Sequence, residues 1–207
     1  MIKYIRFAAA PTLTAFGAFF AVRGEHWMWI YFAIFAIIVI LGDFALGDNS
    51  ANPKYPSTKI LNFLLYINFP FLFVAVLASI LMVGDYQLPD WGSSFMIARE
   101  NTNIYDLVGY VLVMGLLVAS AGTNVGHELT HRKKNKFDMF LGNWFLAFTW
   151  DCAFAIEHVY GHHKYVATEK DPATAKRGQN PYSFIFRSTI LSHRNAWIIE
   201  NNRLKKQ

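Results

Sequence analysis

Apolar runs of near-membrane length constrain this chain more than any other feature. Residues 8–22, 27–46, 60–84 and 104–121 carry almost no charge. A helix needs about 20 predominantly apolar residues to cross the roughly 30 Å hydrocarbon core of a bilayer. Hydrophobic residues make up 54% of the 207, and only 16% are charged, against about 25% in soluble domains. The expectation is an all-α membrane protein with about four transmembrane helices. The first two runs are separated only by Arg23-Gly24-Glu25-His26 and form a tight antiparallel hairpin. Residues 49–57, with Pro53 and Pro56, and residues 85–103, with Pro89 and Gly92, are polar loops by composition. The first run shows no small-residue cleavage site of a signal peptide.

The net charge of +5 does not indicate nucleic acid, because the basic residues lie between and after the apolar runs. Seventeen of the 19 Lys and Arg fall on one predicted side, and only Arg23 and Arg99 fall on the other. Basic loops stay in the cytoplasm, which puts the N-terminus and everything from Arg132 onward inside. A single cysteine, Cys152, rules out an internal disulfide and reads as a small core residue.

Five of the seven histidines fall within residues 127–163. The motif His127-Glu128-Leu129-Thr130-His131 sets two imidazoles at i and i+4, on one helix face, where both reach one metal ion. A helix running from residue 104 through His131 would be roughly 42 Å long, so its histidine-bearing end projects beyond the hydrocarbon. The second motif is Glu157-His158-Val159-Tyr160-Gly161-His162-His163. His158 and His162 repeat the i, i+4 spacing, and His163 points about 100° further round, toward a second metal or the far side of the same site.

Between the motifs, residues 137–156 are long and apolar enough to span. A crossing would put the two histidine motifs on opposite membrane faces and would bury Asp151 at bilayer depth. The expectation is therefore a re-entrant or interfacial helical hairpin. Residues 127–136 and 157–207 then form a cytoplasmic histidine-rich cap within a single domain. His-Glu-x-x-His alone is also the signature of a zinc metalloprotease with Glu128 as general base. That scheme leaves most of the second motif idle, and five imidazoles suit more than one redox metal ion. A non-catalytic remnant is the other alternative.

The two motifs, with Val166-Ala-Thr-Glu-Lys-Asp-Pro-Ala173 behind them, resemble the integral-membrane alkane monooxygenases and xylene-type monooxygenases. Fatty acid desaturases share a looser form. Gly42-Asp43, Gly47-Asp48 and Asn52-Pro53 resemble the family's loop after its second span, and the resemblance extends over residues 1–207. It implies a bacterial inner-membrane enzyme with two non-haem Fe ions, using O2 to hydroxylate an unactivated C–H bond of an apolar substrate. It also implies a rubredoxin or ferredoxin-type electron donor. Desaturation or lipid hydroxylation on the same scaffold is the alternative activity. His127, His131, His158, His162 and His163 match the family's metal ligands. Glu128, Glu157 and Asp171 are candidates to hydrogen-bond those ligands from behind. Nothing after His163 matches the family's further C-terminal histidine boxes. His193 stands alone in Leu191-Ser-His-Arg194 and receives no role, and Arg177-Gly178 reads as an ordinary basic turn. The expectation is an N-terminal fragment that cannot by itself complete two iron sites.

Overall fold

A computed structural model describes residues 4–46, 55, 57–84 and 86–206. Gly47, Asp48, Asn52, Pro53 and Pro56 lie outside the described residues, and so does the expectation for that loop. All regular structure among the described residues is helical, and the protein is an all-α membrane protein. The chain divides into two compact units, Met1–Gly122 and Thr123–Gln207.

The first unit contains α1 (Ile5–Arg23), α2 (Trp27–Leu46), α3 (Thr58–Tyr66), α4 (Asn68–Val83), α5 (Ser93–Asn101) and α6 (Ile104–Leu117), the last running into a wider π turn at Val118–Thr123. Among the described residues, three helical stretches are long and apolar enough to cross a membrane: Trp27–Ala45, Thr58–Val83 and Ile104–Thr130. The expected first span, α1, is a helix of 19 residues but is not among the three; Arg6 and Arg23 stand near its two ends and Pro11 lies within it. The segment expected as a loop at 85–103 holds α5, whose polar sequence gave no apolar periodicity to read.

Gly24 (φ 71°) and Glu25 (φ 52°) turn the chain between α1 and α2. Helix α1 lies along α4, and α2 lies along α6. Polar ties join α1 to α4, to α2 and to α6. Thr14 Oγ1 donates to Asn68 Oδ1 at 3.0 Å, Tyr31 OH to the Leu13 carbonyl at 3.0 Å, and Tyr110 OH to the Ala21 carbonyl at 2.6 Å. In lipid such bonds each contribute about 0.6 kcal/mol. Outward, α2 presents exposed Ile37, Ile38, Ile40, Leu41 and Phe44, a continuous apolar surface that suits acyl chains and not water.

The second unit contains α7 (Asn124–Thr130), α8 (Lys136–Phe148), α9 (Phe154–Glu157), a π turn at His158–His162, α10 (His163–Tyr165) and α11 (Pro181–Leu204). Helices α7 and α8 pack closely through two glycines. A Cβ on Gly126 would stand 3.1 Å from the Gly142 carbonyl oxygen, and one on Gly142 would stand 3.2 Å from the Gly126 oxygen. The apolar stretch 137–156 is not one helix. It breaks after α8, where Trp150 takes a left-handed conformation (φ 59°), and resumes as the short α9. At 13 residues, α8 is about 20 Å long. Cys152 lies in this break and is exposed. This corrects its reading as a core residue, since the turn leaves nothing to cover it. Asn180 caps α11 by accepting from Tyr182 N and Ser183 N, with Pro181 in the first turn. Helix α11 packs on α9 and the following π turn.

Candidate metal centre

Four histidines from two segments of the second unit converge. His127 sits on α7 and His131 ends it, their ring centroids 4.7 Å apart. The His158 ring stands 4.4 Å from that of His127 and 5.3 Å from that of His131. His163 completes the ring of contacts, 4.9 Å from His131 and 4.6 Å from His158. One nitrogen from each of the four lies within 4.8 Å of the other three.

The π turn explains which histidines gather. An α-helix would stack His162 over His158. The π turn bonds i to i+5 and brings His163, five residues on, over His158. Nε2 of His163 is 3.1 Å from Nε2 of His158. His162 remains ring-stacked on His158 at 5.2 Å, but its Nδ1 turns away and donates to Asp171 Oδ2 at 2.9 Å. Of the five expected ligands, the structure therefore brings four together and ties the fifth to a carboxylate. Phe154 walls one side, stacked on His158 at 4.6 Å and edge-on to His127 at 5.6 Å.

The electrostatics suit a ligand set. Burial, followed by repulsion from His127, His163, His162 and His131, pushes the His158 imidazole from 6.5 down to about 4. His131 is also lowered, by burial first and then by His127 and His163. Depressed imidazoles are neutral near pH 7, and neutral imidazole is the form that binds metal.

The three carboxylates take different positions. Asp171 is buried. Burial alone would raise its carboxyl, but hydrogen bonds from Thr174, the Ala173 backbone and His162 outweigh that and hold it below the usual range. Glu157 is also buried, which raises its carboxyl, and its Oε1 accepts from Asn195 Nδ2 of α11 at 3.0 Å. Gly161 makes room for that pair, because a Cβ there would stand 2.6 Å from Glu157 Oε1 and 2.7 Å from Asn195 Nδ2. Glu128 is half exposed and its Oε1 is paired with Arg132 at 2.8 Å.

Two residues outside the motifs also approach. His193 donates Nδ1–H to the Thr189 carbonyl at 2.9 Å, and its Nε2 lies 3.9 Å from Asp151 Oδ1. Both line a cavity of about 220 Å³ with Glu157, His158 and His162. Sequence spacing carried no signal for this placement, since it arises from the packing of α11 over α9.

The sequence profile described as fatty acid desaturase matches residues 102–206. Alkane 1-monooxygenase of Pseudomonas putida is 31% identical over 181 residues, covering 84% of this chain and 41% of that protein. Alkane 1-monooxygenase 2 of Alcanivorax borkumensis is 27% identical, covering 99% of this chain and 52% of that protein. The xylene/toluene monooxygenase hydroxylase component XylM of Pseudomonas putida is 28% identical over 98% of this chain and 51% of its own length. The chain spans about half the length of these curated relatives.

Proposed function

The chain belongs to the fatty acid desaturase family, and from that premise we propose that it carries the first histidine cluster of a membrane monooxygenase. The enzyme hydroxylates an unactivated C–H bond of an apolar substrate, an alkane or alkyl-aromatic, with two non-haem irons and O2. The observation that carries this reading is the convergence of His127, His131, His158 and His163, with one nitrogen of each inside a 4.8 Å span.

The donor set fits a metal. Four imidazole nitrogens within 4.8 Å of one another, two of them 3.1 Å apart, could share one ion. Imidazole suits iron as well as zinc and copper. Bound iron supplies the oxidising power that an aliphatic C–H bond demands and that no acid, base or nucleophile in the chain provides.

The residues have separate tasks. The four histidines would hold the ion, the Phe154 ring would keep water from one side of it, and Asp171 fixes His162 so that its Nε2 would be the nitrogen left for a second ion. The substrate partitions into the bilayer and approaches through the apolar helices. Electrons come from the aqueous side through rubredoxin or a ferredoxin-type donor. The chain lies in a bacterial inner membrane, with the N-terminus and histidines cytoplasmic. It has four spans, α1 being the fourth beside the three long apolar helices, and the α8–α9 hairpin returns to the face it left. Two features support that return: the break at Trp150 and the length of α8, short of a bilayer.

The zinc protease reading needs Glu128 aimed at a metal-bound water, and its pairing with Arg132 disfavours it. Desaturation on the same scaffold differs only in product. The test is metal analysis of the purified chain. Iron held at the histidines, lost in the His127→Ala variant, supports the reading, and zinc without iron rejects it.

A further inference from the structure

The orientation of His162 is set from a distance. Asp171 receives its Nδ1–H and is itself held on three sides. Thr174 Oγ1 donates to Asp171 Oδ2 at 2.5 Å, and Ala173 N donates to Oδ1 at 2.9 Å. The same Thr174 oxygen accepts from Ala167 N at 2.9 Å, closing a loop in which Ala167 occupies a left-handed conformation (φ 64°). A non-glycine residue there costs of order 1 kcal/mol or more and persists only where its surroundings over-determine it.

Arg187 of α11 supplies the external hold. Its Nη2 donates to the Thr174 carbonyl at 3.0 Å and to the Pro172 carbonyl at 3.3 Å, the residues on either side of Ala173. Its Nε is buried without a hydrogen-bond partner among the described residues. A guanidinium is costly to place against carbonyl oxygens with one N–H unsatisfied. That expense is understandable if the loop must be kept in one conformation. Both bonds come from the two N–H of one nitrogen, Nη2, which the rigid guanidinium plane holds in place, whereas a lysine ammonium rides on a flexible stem.

We propose that Arg187 is a positioning residue for the metal centre, acting on His162 through the Asp171 loop. It touches neither substrate nor metal. This rests on the proposed ligand role of His162. Removing Arg187 lets the loop relax, frees the Asp171 carboxylate to rotate, and leaves the His162 ring without its fixed tautomer. Loss of such an outer partner weakens metal binding by about 10- to 100-fold.

The test is cobalt(II) titration of the purified 207-residue chain in detergent, read by ligand-field absorption. Far-UV circular dichroism confirms that each variant keeps its helices. His162→Ala weakens binding and alters the spectrum. Arg187→Met weakens binding about 10- to 100-fold, and Arg187→Lys recovers part of the loss. In the Asp171→Asn or His162→Ala background, Arg187→Met changes nothing further, because residues acting through one another are non-additive. Arg187→Met that binds cobalt as the parent does, or that adds its full effect in the Asp171→Asn background, overturns the proposal and leaves the four-histidine centre standing. His162→Ala with unchanged binding and spectrum overturns both this proposal and the ligand role of His162.

Discussion

His158 and His163 hold their Nε2 atoms 3.1 Å apart. Two neutral acceptor nitrogens at that separation repel unless a proton or a metal ion lies between them. With a metal there, both are first ligands. His158→Ala and His163→Ala then each weaken cobalt(II) binding by at least the roughly 10- to 100-fold that loss of an outer partner costs. Isothermal titration of the purified chain measures it.

The same crowding makes the metal-free fold sensitive to acid. The His158 imidazole sits at about 4 in the fold against an ordinary 6.5. Between those values the unfolded chain binds a proton that the fold refuses, so stability falls as pH drops through that window and is unaffected by this group above it. Thermal unfolding of the metal-free chain at pH 7, 6, 5 and 4 should show a declining midpoint. His158→Gln should flatten the decline.

Glu128 separates iron oxygenase from zinc protease. Its carboxylate is paired with Arg132 and half exposed, so Glu128→Gln removes a surface ion pair worth at most about 1 kcal/mol. Metal affinity should stay within a few-fold of the parent. A general base would be indispensable, so complete loss of a metal-dependent peptidase activity in this variant would reverse the assignment.

Gly161→Ala tests the support behind the second motif. The new methyl displaces Glu157 Oε1 or Asn195 Nδ2. Both are ends of side chains and can move, so the cost is that of their buried hydrogen bond, about 1–3 kcal/mol. Gly126→Ala meets the Gly142 carbonyl, which is backbone and cannot step aside, so it should destabilise α7 on α8 by a similar or larger amount, typically about 1–3 kcal/mol. Thermal unfolding of both variants reads the effect.

Much of the centre was legible in the sequence because it depends on local spacing. His127 and His131 meet as an i, i+4 pair should. Their convergence with the second motif was expected from the need for a common site. The choice of His163 over His162 was not legible, because the sequence alone did not reveal the π turn that changes the angular step after His158. Asp171 was visible beside its proline. The contributions of α11 were not, since Arg187, Asn195 and His193 reach the site only after a polar helix folds over α9. Membrane helices were legible where apolar runs are pure, as at residues 27–46. The read was weaker in α1, where Arg6 and Arg23 shorten the apolar run from both ends, and α5 was missed because its sequence resembles a loop.

The most direct test of the central claim is X-ray absorption at the iron edge of the iron-loaded chain, compared with its His127→Ala variant. The account predicts a nitrogen shell with the multiple-scattering pattern of several imidazoles, reduced by one ring in the variant. An oxygen or sulfur shell, or a spectrum that His127→Ala leaves unchanged, would contradict it.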